Sequence, residues 1–154
     1  MKKRSFILLI LAILGISAYA INYPGKAPGA AILTIKPAAI SLQNNVLKQS
    51  WTVINNKIIP GKLTDIQGKT SIDVSAAELF NVIVDGKLLK SSEFKLQKAP
   101  VEYKIVPDKK PGHQSQHLGG KAIRAVFASN NGDLMVQWTA MLRDGSNYIQ
   151  QQLV

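Results

Sequence analysis

The sequence predicts an all-β protein built as an antiparallel β-sandwich. Short segments in which apolar and polar residues alternate recur along the chain, and turns rich in Gly, Asn and Asp separate them. No heptad pattern, internal repeat or long helical stripe of apolar residues interrupts this series. Many short alternating strands are typical of two sheets packed on one core. We therefore expect a single sandwich domain over residues 30–154.

Three segments in the first half carry the strand pattern. They are Ala31–Ile35, Val46–Ile54 and a return strand that starts at Ile58-Ile59. Asn tolerates positive φ, so Asn55-Asn56 is expected to form the tight turn between the last two. Pro60-Gly61 is expected to interrupt the return strand, marking an edge or a bulge.

Asp85-Gly86 is the strongest hairpin signal in the chain, and it separates Glu78–Val84 from Lys87–Leu89. Apolar residues occupy both faces of the first of these strands, with Phe80, Val82 and Val84 on one face and Leu79 and Ile83 on the other. A strand that is apolar on both faces is expected to be covered on both sides. We therefore expect it in the interior of the sandwich.

The last third of the chain has the pattern of a meander. Its strands are Val101–Val106, Lys121–Ala128, Leu134–Leu142 and Tyr148–Val154, with turns at Asn130–Asp133 and Asp144–Asn147. Trp138 lies on the apolar face of its strand, together with Val136 and Ala140. We expect its indole in the core rather than at a sugar-binding surface.

The N-terminus has the three parts of a secretory signal peptide in residues 1–20. A basic start (Lys2, Lys3, Arg4) precedes an apolar run over Phe6–Ile16, and Ala18-Tyr19-Ala20 fits a small-x-small cleavage site. The apolar run is shorter than the roughly 20 residues of a membrane span. We expect cleavage after Ala20, a secreted or periplasmic protein without membrane attachment, and a Pro/Gly-rich spacer over residues 21–29.

The charge balance is basic, but it does not indicate nucleic-acid binding. Three of the 19 Lys and Arg residues lie in the signal, which leaves 16 against nine acids and a net charge near +7. The lysines are scattered singly apart from Lys109-Lys110, and the only arginines after the signal are Arg124 and Arg143. Nucleic-acid-binding domains more often cluster such charge on one face. We therefore expect no nucleic-acid partner.

The sequence contains no recognisable catalytic residues. Cysteine is absent, the nine acids are dispersed, and the histidines, His113 and His117, stand in a segment flanked by Pro111-Gly112 and Gly119-Gly120. His-x-x-x-His binds zinc on a helix, where both imidazoles face the same way, but these flanks disfavour a helix. No nucleophile, paired carboxylates or nucleotide motif can be assembled. We expect no catalytic site, no metal and no cofactor.

One turn concentrates polar side chains between two strands. Arg143, Asp144, Asn147 and Tyr148 crowd hydrogen-bonding groups into a short segment. One interpretation is that Asp144 and Asn147 only shape the turn. The alternative is that these four residues form a carbohydrate-binding surface or an interface with a following domain.

Several short motifs, taken in order, are similar to those of a known family. They are Ser41–Val46, Ala77–Phe80 followed by Asp85-Gly86, Ser91–Phe94, and Trp138–Tyr148. Through them, residues 40–154 resemble the N-terminal β-supersandwich domain, of galactose-mutarotase-like type, of secreted bacterial α-galactosidase-like glycoside hydrolases. In that family the catalytic aspartates lie on a (β/α)₈ barrel after the sandwich, and no position here matches them.

The resemblance implies a non-catalytic module of a secreted glycoside hydrolase. Such a module would pack on a downstream catalytic domain of the same polypeptide and help to shape a carbohydrate cleft. We expect the 154 residues to be the front part of a longer chain, because the pattern ends within an apolar strand. The alternative is a free-standing secreted protein that binds carbohydrate or a surface.

Overall fold

The computed structural model describes residues 25–110, 112 and 114–154. In these ranges the chain forms twelve β-strands and two short 3₁₀ helices, and no α-helix occurs there. The strands are β1 (Ile32–Lys36), β2 (Ala39–Gln43), β3 (Leu47–Ile54), β4 (Lys57–Asp65), β5 (Thr70–Asp73), β6 (Asn81–Val84), β7 (Lys87–Lys90), β8 (Phe94–Leu96), β9 (Val101–Ile105), β10 (Gly120–Ser129), β11 (Met135–Arg143) and β12 (Gln150–Leu153). The 3₁₀ helices are Ser91–Glu93 and Gln114–His117. The predicted signal peptide lies outside the described residues.

Three antiparallel sheets arise from these strands. The first sheet is a meander in the order β1-β2-β3-β4-β5. The second sheet has the order β12-β11-β10, and both β8 and β9 pair with the remaining edge of the long strand β10. The hairpin β6–β7 forms a separate two-stranded sheet. The expected all-β class with antiparallel sheets is confirmed.

The two larger sheets share one hydrophobic core. On β10, Ile123, Ala125 and Phe127 alternate onto one face of the strand, and all three are buried. The indole of Trp138 on β11 is also buried, as expected, and it meets the indole of Trp51 on β3 edge to face. Residues of both sheets belong to this one core, which makes the arrangement sandwich-like. Residues on the opposite side of each strand face outwards.

The first sheet contains two strands, β2 and β5, that the sequence pattern did not indicate. Strand β2 follows β1 after a two-residue turn at Pro37-Ala38, and it buries Ile40 and Leu42. Its alternation spans only five residues, too few to stand out in the sequence. Asn55 and Asn56 do form the expected turn, both with positive φ.

Pro60-Gly61 does not end its strand. Strand β4 continues through both residues to Asp65, and the register with β3 shifts between Gln49 and Trp51. This irregularity is the bulge alternative of the prediction, whereas the edge alternative is wrong because β4 lies between β3 and β5.

The position expected for the Asp85-Gly86 hairpin is wrong, although the hairpin itself forms. Asp85 and Gly86 both have positive φ and connect β6 to β7, as their sequence predicts. Only one face of this hairpin packs on the core, through Val82 and Leu89. Ile83 on the other face is 73% exposed, so the strand is not covered on both sides. Apolar composition alone did not distinguish a peripheral hairpin from an interior strand.

Residues 25–31 are hydrogen-bonded to three separate loops of the domain. The backbone amide of Asn45 donates to the Pro28 carbonyl at 2.9 Å, and the Gln67 side-chain amide donates to the Lys26 carbonyl at 2.8 Å. The amide of Gly145 donates to the Gly29 carbonyl at 2.8 Å. The described part of the expected spacer is therefore attached along its length.

Candidate functional site

The polar turn between β11 and β12 is tied to its neighbours mainly through Asp144. The carboxylate Oδ1 of Asp144 accepts a hydrogen bond from the Ala31 amide at 2.8 Å, and the Asp144 amide donates to the Gly119 carbonyl at 2.8 Å. Nearby, the Asn44 side chain donates to the Ser146 carbonyl at 2.6 Å. These contacts give the turn a role in joining both sheets and the N-terminal segment.

The four residues singled out in this turn do not form one site. Arg143 lines a cleft on the outer face of the second sheet, and its Nη1 donates to the Leu118 carbonyl at 2.7 Å. Asp144 faces a smaller depression beside Ala31 and Gly119. Asn147 and Tyr148 are exposed and belong to neither group of lining residues. The structure thus places Arg143, Asp144 and the pair Asn147 and Tyr148 in three different surroundings.

The cleft has a volume of about 490 Å³ and is formed by one continuous part of the chain. Its lining comes from strands β9–β12 and from the β9–β10 connection. The lining residues are Tyr103, Ile105, Val106, Asp108, Gln116, Ala122, Arg124, Gln137, Thr139, Met141, Arg143, Gln150, Gln152 and Val154.

Strand register arranges these side chains in rows across the sheet, because paired residues of antiparallel strands point to the same side. The first row contains Ile105, Gly120 and Arg143. The second row contains Tyr103, Ala122, Met141 and Gln150. The third row contains Val101, Arg124, Thr139 and Gln152. The rows place one arginine in the first row and the other in the third.

The cleft is concave because small residues occupy its central strand, β10. Gly120 and Ala122 lie on β10, while longer side chains stand on the neighbouring strands β9, β11 and β12. Gly120 cannot carry a side chain here, since a Cβ atom would lie 2.3 Å from the Leu142 carbonyl oxygen. Close strand approach therefore enforces glycine at one end of the floor.

The guanidinium of Arg124 is held against an aromatic ring. Its central carbon lies 4.5 Å from the ring centroid of Tyr103, within cation–π distance. Its Nε is buried and meets no hydrogen-bond acceptor among the residues that the structure describes. A buried donor without an acceptor is uncommon in folded proteins, so part of the hydrogen-bonding capacity of Arg124 is unused.

The cleft is rich in neutral hydrogen-bonding groups and poor in carboxylates. Gln137, Gln150 and Gln152 bring amides and Thr139 brings a hydroxyl, while Asp108 is the sole acid among the described lining residues. Amides both donate and accept, and guanidinium groups only donate. This combination can bind the hydroxyl and carboxylate groups of a polar ligand, but it lacks the pair of acids that glycoside hydrolysis requires.

Other parts of the chain offer little further chemistry. No group of three or more His, Cys, Asp and Glu residues that could hold a metal ion occurs within residues 25–110, 112 and 114–154. His117 is exposed in a 3₁₀ turn, whereas His113 falls outside the described residues. In the same ranges, no helix has the length and apolar character needed to span a membrane.

Most cleft residues were not singled out from the sequence. The alternation of β11 places Gln137, Thr139, Met141 and Arg143 on one face of the strand, opposite the face that carries Trp138. The sequence pattern predicts the buried position of the apolar face and gives no prediction for this polar face. The alternation of β9 puts Tyr103 on the apolar side of that strand with Val101 and Ile105, and only the pairing of β9 with β10 places that side in the cleft.

Comparisons with protein-family models, curated proteins and solved structures produced no match to this chain. The candidate site is therefore defined by its own geometry.

Proposed function

We propose that this protein is a secreted or periplasmic, non-catalytic carbohydrate-binding module that contacts its ligand through the outer cleft of the second sheet. The observation that carries the proposal is the set of amide, hydroxyl, guanidinium and tyrosine side chains lining one cleft. Specific polar ligands are held by convergent groups of this kind in a concave site. With one carboxylate in the described lining, binding is favoured over hydrolysis.

The parent protein in this proposal is an α-galactosidase-like glycoside hydrolase with a galactose-mutarotase-like β-supersandwich at its N-terminus. Support comes from the ordered motifs that end in Trp138–Tyr148 and from the sandwich-like packing of the two sheets. The module would pack on a downstream catalytic domain and help to wall the substrate cleft. Arg143 would approach the sugar.

A free-standing carbohydrate-binding protein is the second candidate. It is favoured by the fact that residues 103–154 provide all of the described lining residues of the cleft, so that a concave site forms without a second domain. Affinity distinguishes the two. A module that lacks part of its cleft should bind galactosides in the millimolar range, near −4 kcal/mol, whereas a complete site should reach the micromolar range.

Calorimetry with galacto-oligosaccharides on the mature chain tests the proposal. We expect measurable binding that Gln152→Ala and Arg143→Ala weaken. A matched control is Gln43→Ala, on β2 of the first sheet. No binding of any glycan, or equal weakening by the control, would refute the cleft as a carbohydrate site. Release of nitrophenol from an aryl galactoside by purified chain would refute the non-catalytic assignment.

The export part of the proposal has its own test. Mass spectrometry of the protein recovered outside the cytoplasm should give a mature N-terminus at Ile21. An exported product that retains Met1 would contradict cleavage after Ala20.

A further inference from the structure

We propose that the outer cleft selects acidic glycans, in which carboxylates of uronic-acid units pair with Arg124 and Arg143. This inference rests on the proposed function of the cleft as a carbohydrate site and adds the charge of the ligand. A neutral galactoside can accept hydrogen bonds from the guanidinium groups, but it would leave both of them without an anion.

The distribution of arginine is the first observation. After residue 20 the chain has 14 lysines and two arginines, and both arginines line this cleft. Lysine and arginine are not equivalent here, because the planar guanidinium matches a carboxylate through two parallel hydrogen bonds. General solubility explains scattered lysines, but it does not explain why both arginines share one concave surface.

The second observation is that neither guanidinium forms an ion pair with a carboxylate of the described residues. Within the described ranges Lys121 forms an ion pair with Glu102, and this pair involves neither arginine. Asp108 lines the same cleft, yet no ion pair joins it to Arg124 or Arg143. Two positive charges against one acid leave the cleft with an excess positive charge. An anionic ligand would offset that excess.

The environment of Arg124 supports a fixed rather than a mobile cation. The ring of Tyr103 lies beneath its guanidinium, and the buried Nε meets no acceptor in the described part of the chain. Arg143 is similarly held by its hydrogen bond to the Leu118 carbonyl. Fixed guanidinium groups lose less side-chain entropy on binding than free surface lysines do.

The backbone positions of the two arginines are compatible with an oligomeric ligand. In the β10–β11 register Arg124 pairs with Thr139, and Arg143 lies four residues further along β11. At about 3.3 Å per residue this separation is roughly 13 Å along the strand. Carboxylates on successive sugar units of an oligomer can reach two guanidinium groups whose backbone positions are separated in this way.

The test compares oligogalacturonate with the same oligomer as its methyl ester, by calorimetry on the mature chain. Esterification removes the charge and keeps the sugar backbone. We expect the acid form to bind at least tenfold more tightly than the ester, with an affinity that falls as salt rises. Arg124→Gln and Arg143→Gln should each reduce the preference for the acid several-fold. Lys48→Gln, on β3 of the first sheet, should leave it unchanged.

Each outcome has a distinct meaning. Equal binding of acid and ester would overturn the charge selection and leave carbohydrate binding intact. Binding of neither oligomer, together with no binding of galacto-oligosaccharides, would overturn the proposed function itself. Polyglutamate of similar length is the control for negative charge without sugar. If polyglutamate bound as tightly as oligogalacturonate, the inference would also be overturned. Circular dichroism of each variant verifies that the fold is retained.

Discussion

The indole rings of Trp51 and Trp138 meet edge to face between the two sheets, with centroids 5.6 Å apart and planes inclined at 74°. Both rings are buried. Trp51 belongs to β3 and Trp138 to β11, so this contact joins the first sheet to the second. The indole Nε1 of Trp138 donates to the Gln151 side chain of β12 at 2.8 Å, which satisfies its polar atom.

Replacing Trp138 should therefore destabilise the whole domain. We expect Trp138→Ala to lower the free energy of unfolding by about 3–5 kcal/mol, because it leaves a large cavity between the sheets. Urea denaturation measures this change. Gln151→Ala is the matched variant, since it removes only the hydrogen-bond acceptor and should cost about 1 kcal/mol. Equal losses for both variants would contradict the importance of ring packing.

Asp144 should stabilise the attachment of the N-terminal segment rather than bind a ligand. We expect Asp144→Ala to cost about 1–2 kcal/mol, because the Ala31 amide loses its acceptor at 2.8 Å. Hydrogen exchange at Ala31 should accelerate in the same variant. Asp144→Asn keeps an acceptor oxygen and should lose less stability. Unchanged exchange at Ala31 in the alanine variant would contradict this role.

Gly120 should tolerate no side chain. Gly120→Ala would place a Cβ atom 2.3 Å from the Leu142 carbonyl oxygen, so β10 and β11 must separate locally. We expect a loss of about 1–3 kcal/mol in thermal or urea unfolding. Gly112→Ala is the control, because the new Cβ atom would lie 3.6 Å from its nearest neighbour, Gln116 Oε1, which is an ordinary van der Waals contact. A Gly120→Ala protein as stable as this control would refute the steric argument.

Glu78 should make stability depend on pH in the acid range. Hydrogen bonds from the Ser91 hydroxyl, and then from Ser92, hold the pKa of Glu78 below its ordinary value, although burial opposes the shift. A lowered carboxyl pKa stabilises the fold above the pKa of the unfolded chain, and this contribution is lost as pH falls through the pKa of the folded state.

Glu78→Gln should therefore cost about 1 kcal/mol near neutral pH, and the difference from the parent protein should shrink below about pH 4.5. Urea unfolding across this range provides the measurement. Asp85→Asn, in the exposed hairpin turn, serves as the control for removal of one negative charge. A pH-independent cost for Glu78→Gln would contradict the linkage to its ionisation.

Local chemistry in the sequence determined the strand faces and the turns. The alternation of Ile123, Ala125 and Phe127 identified the buried side of β10, since residues two apart share a face. Asn55-Asn56 and Asp85-Gly86 predicted their turns, because these residues tolerate positive φ without a large steric cost. Such information lies within a few residues of chain and needs no knowledge of the rest of the fold.

Only the tertiary structure decided which strands are neighbours and what each face meets. Pairing of β9 with β10 places Tyr103 beside Arg124, although 21 positions separate them in the sequence. Pairing of β10 with β11 brings both arginines into one cleft, and the turn after β11 places Asp144 beside the N-terminal segment. The exposure of Ile83 likewise depends on what lies beyond the hairpin. Strand patterning specifies a face within one strand, whereas a site on a sheet is created by the register between strands.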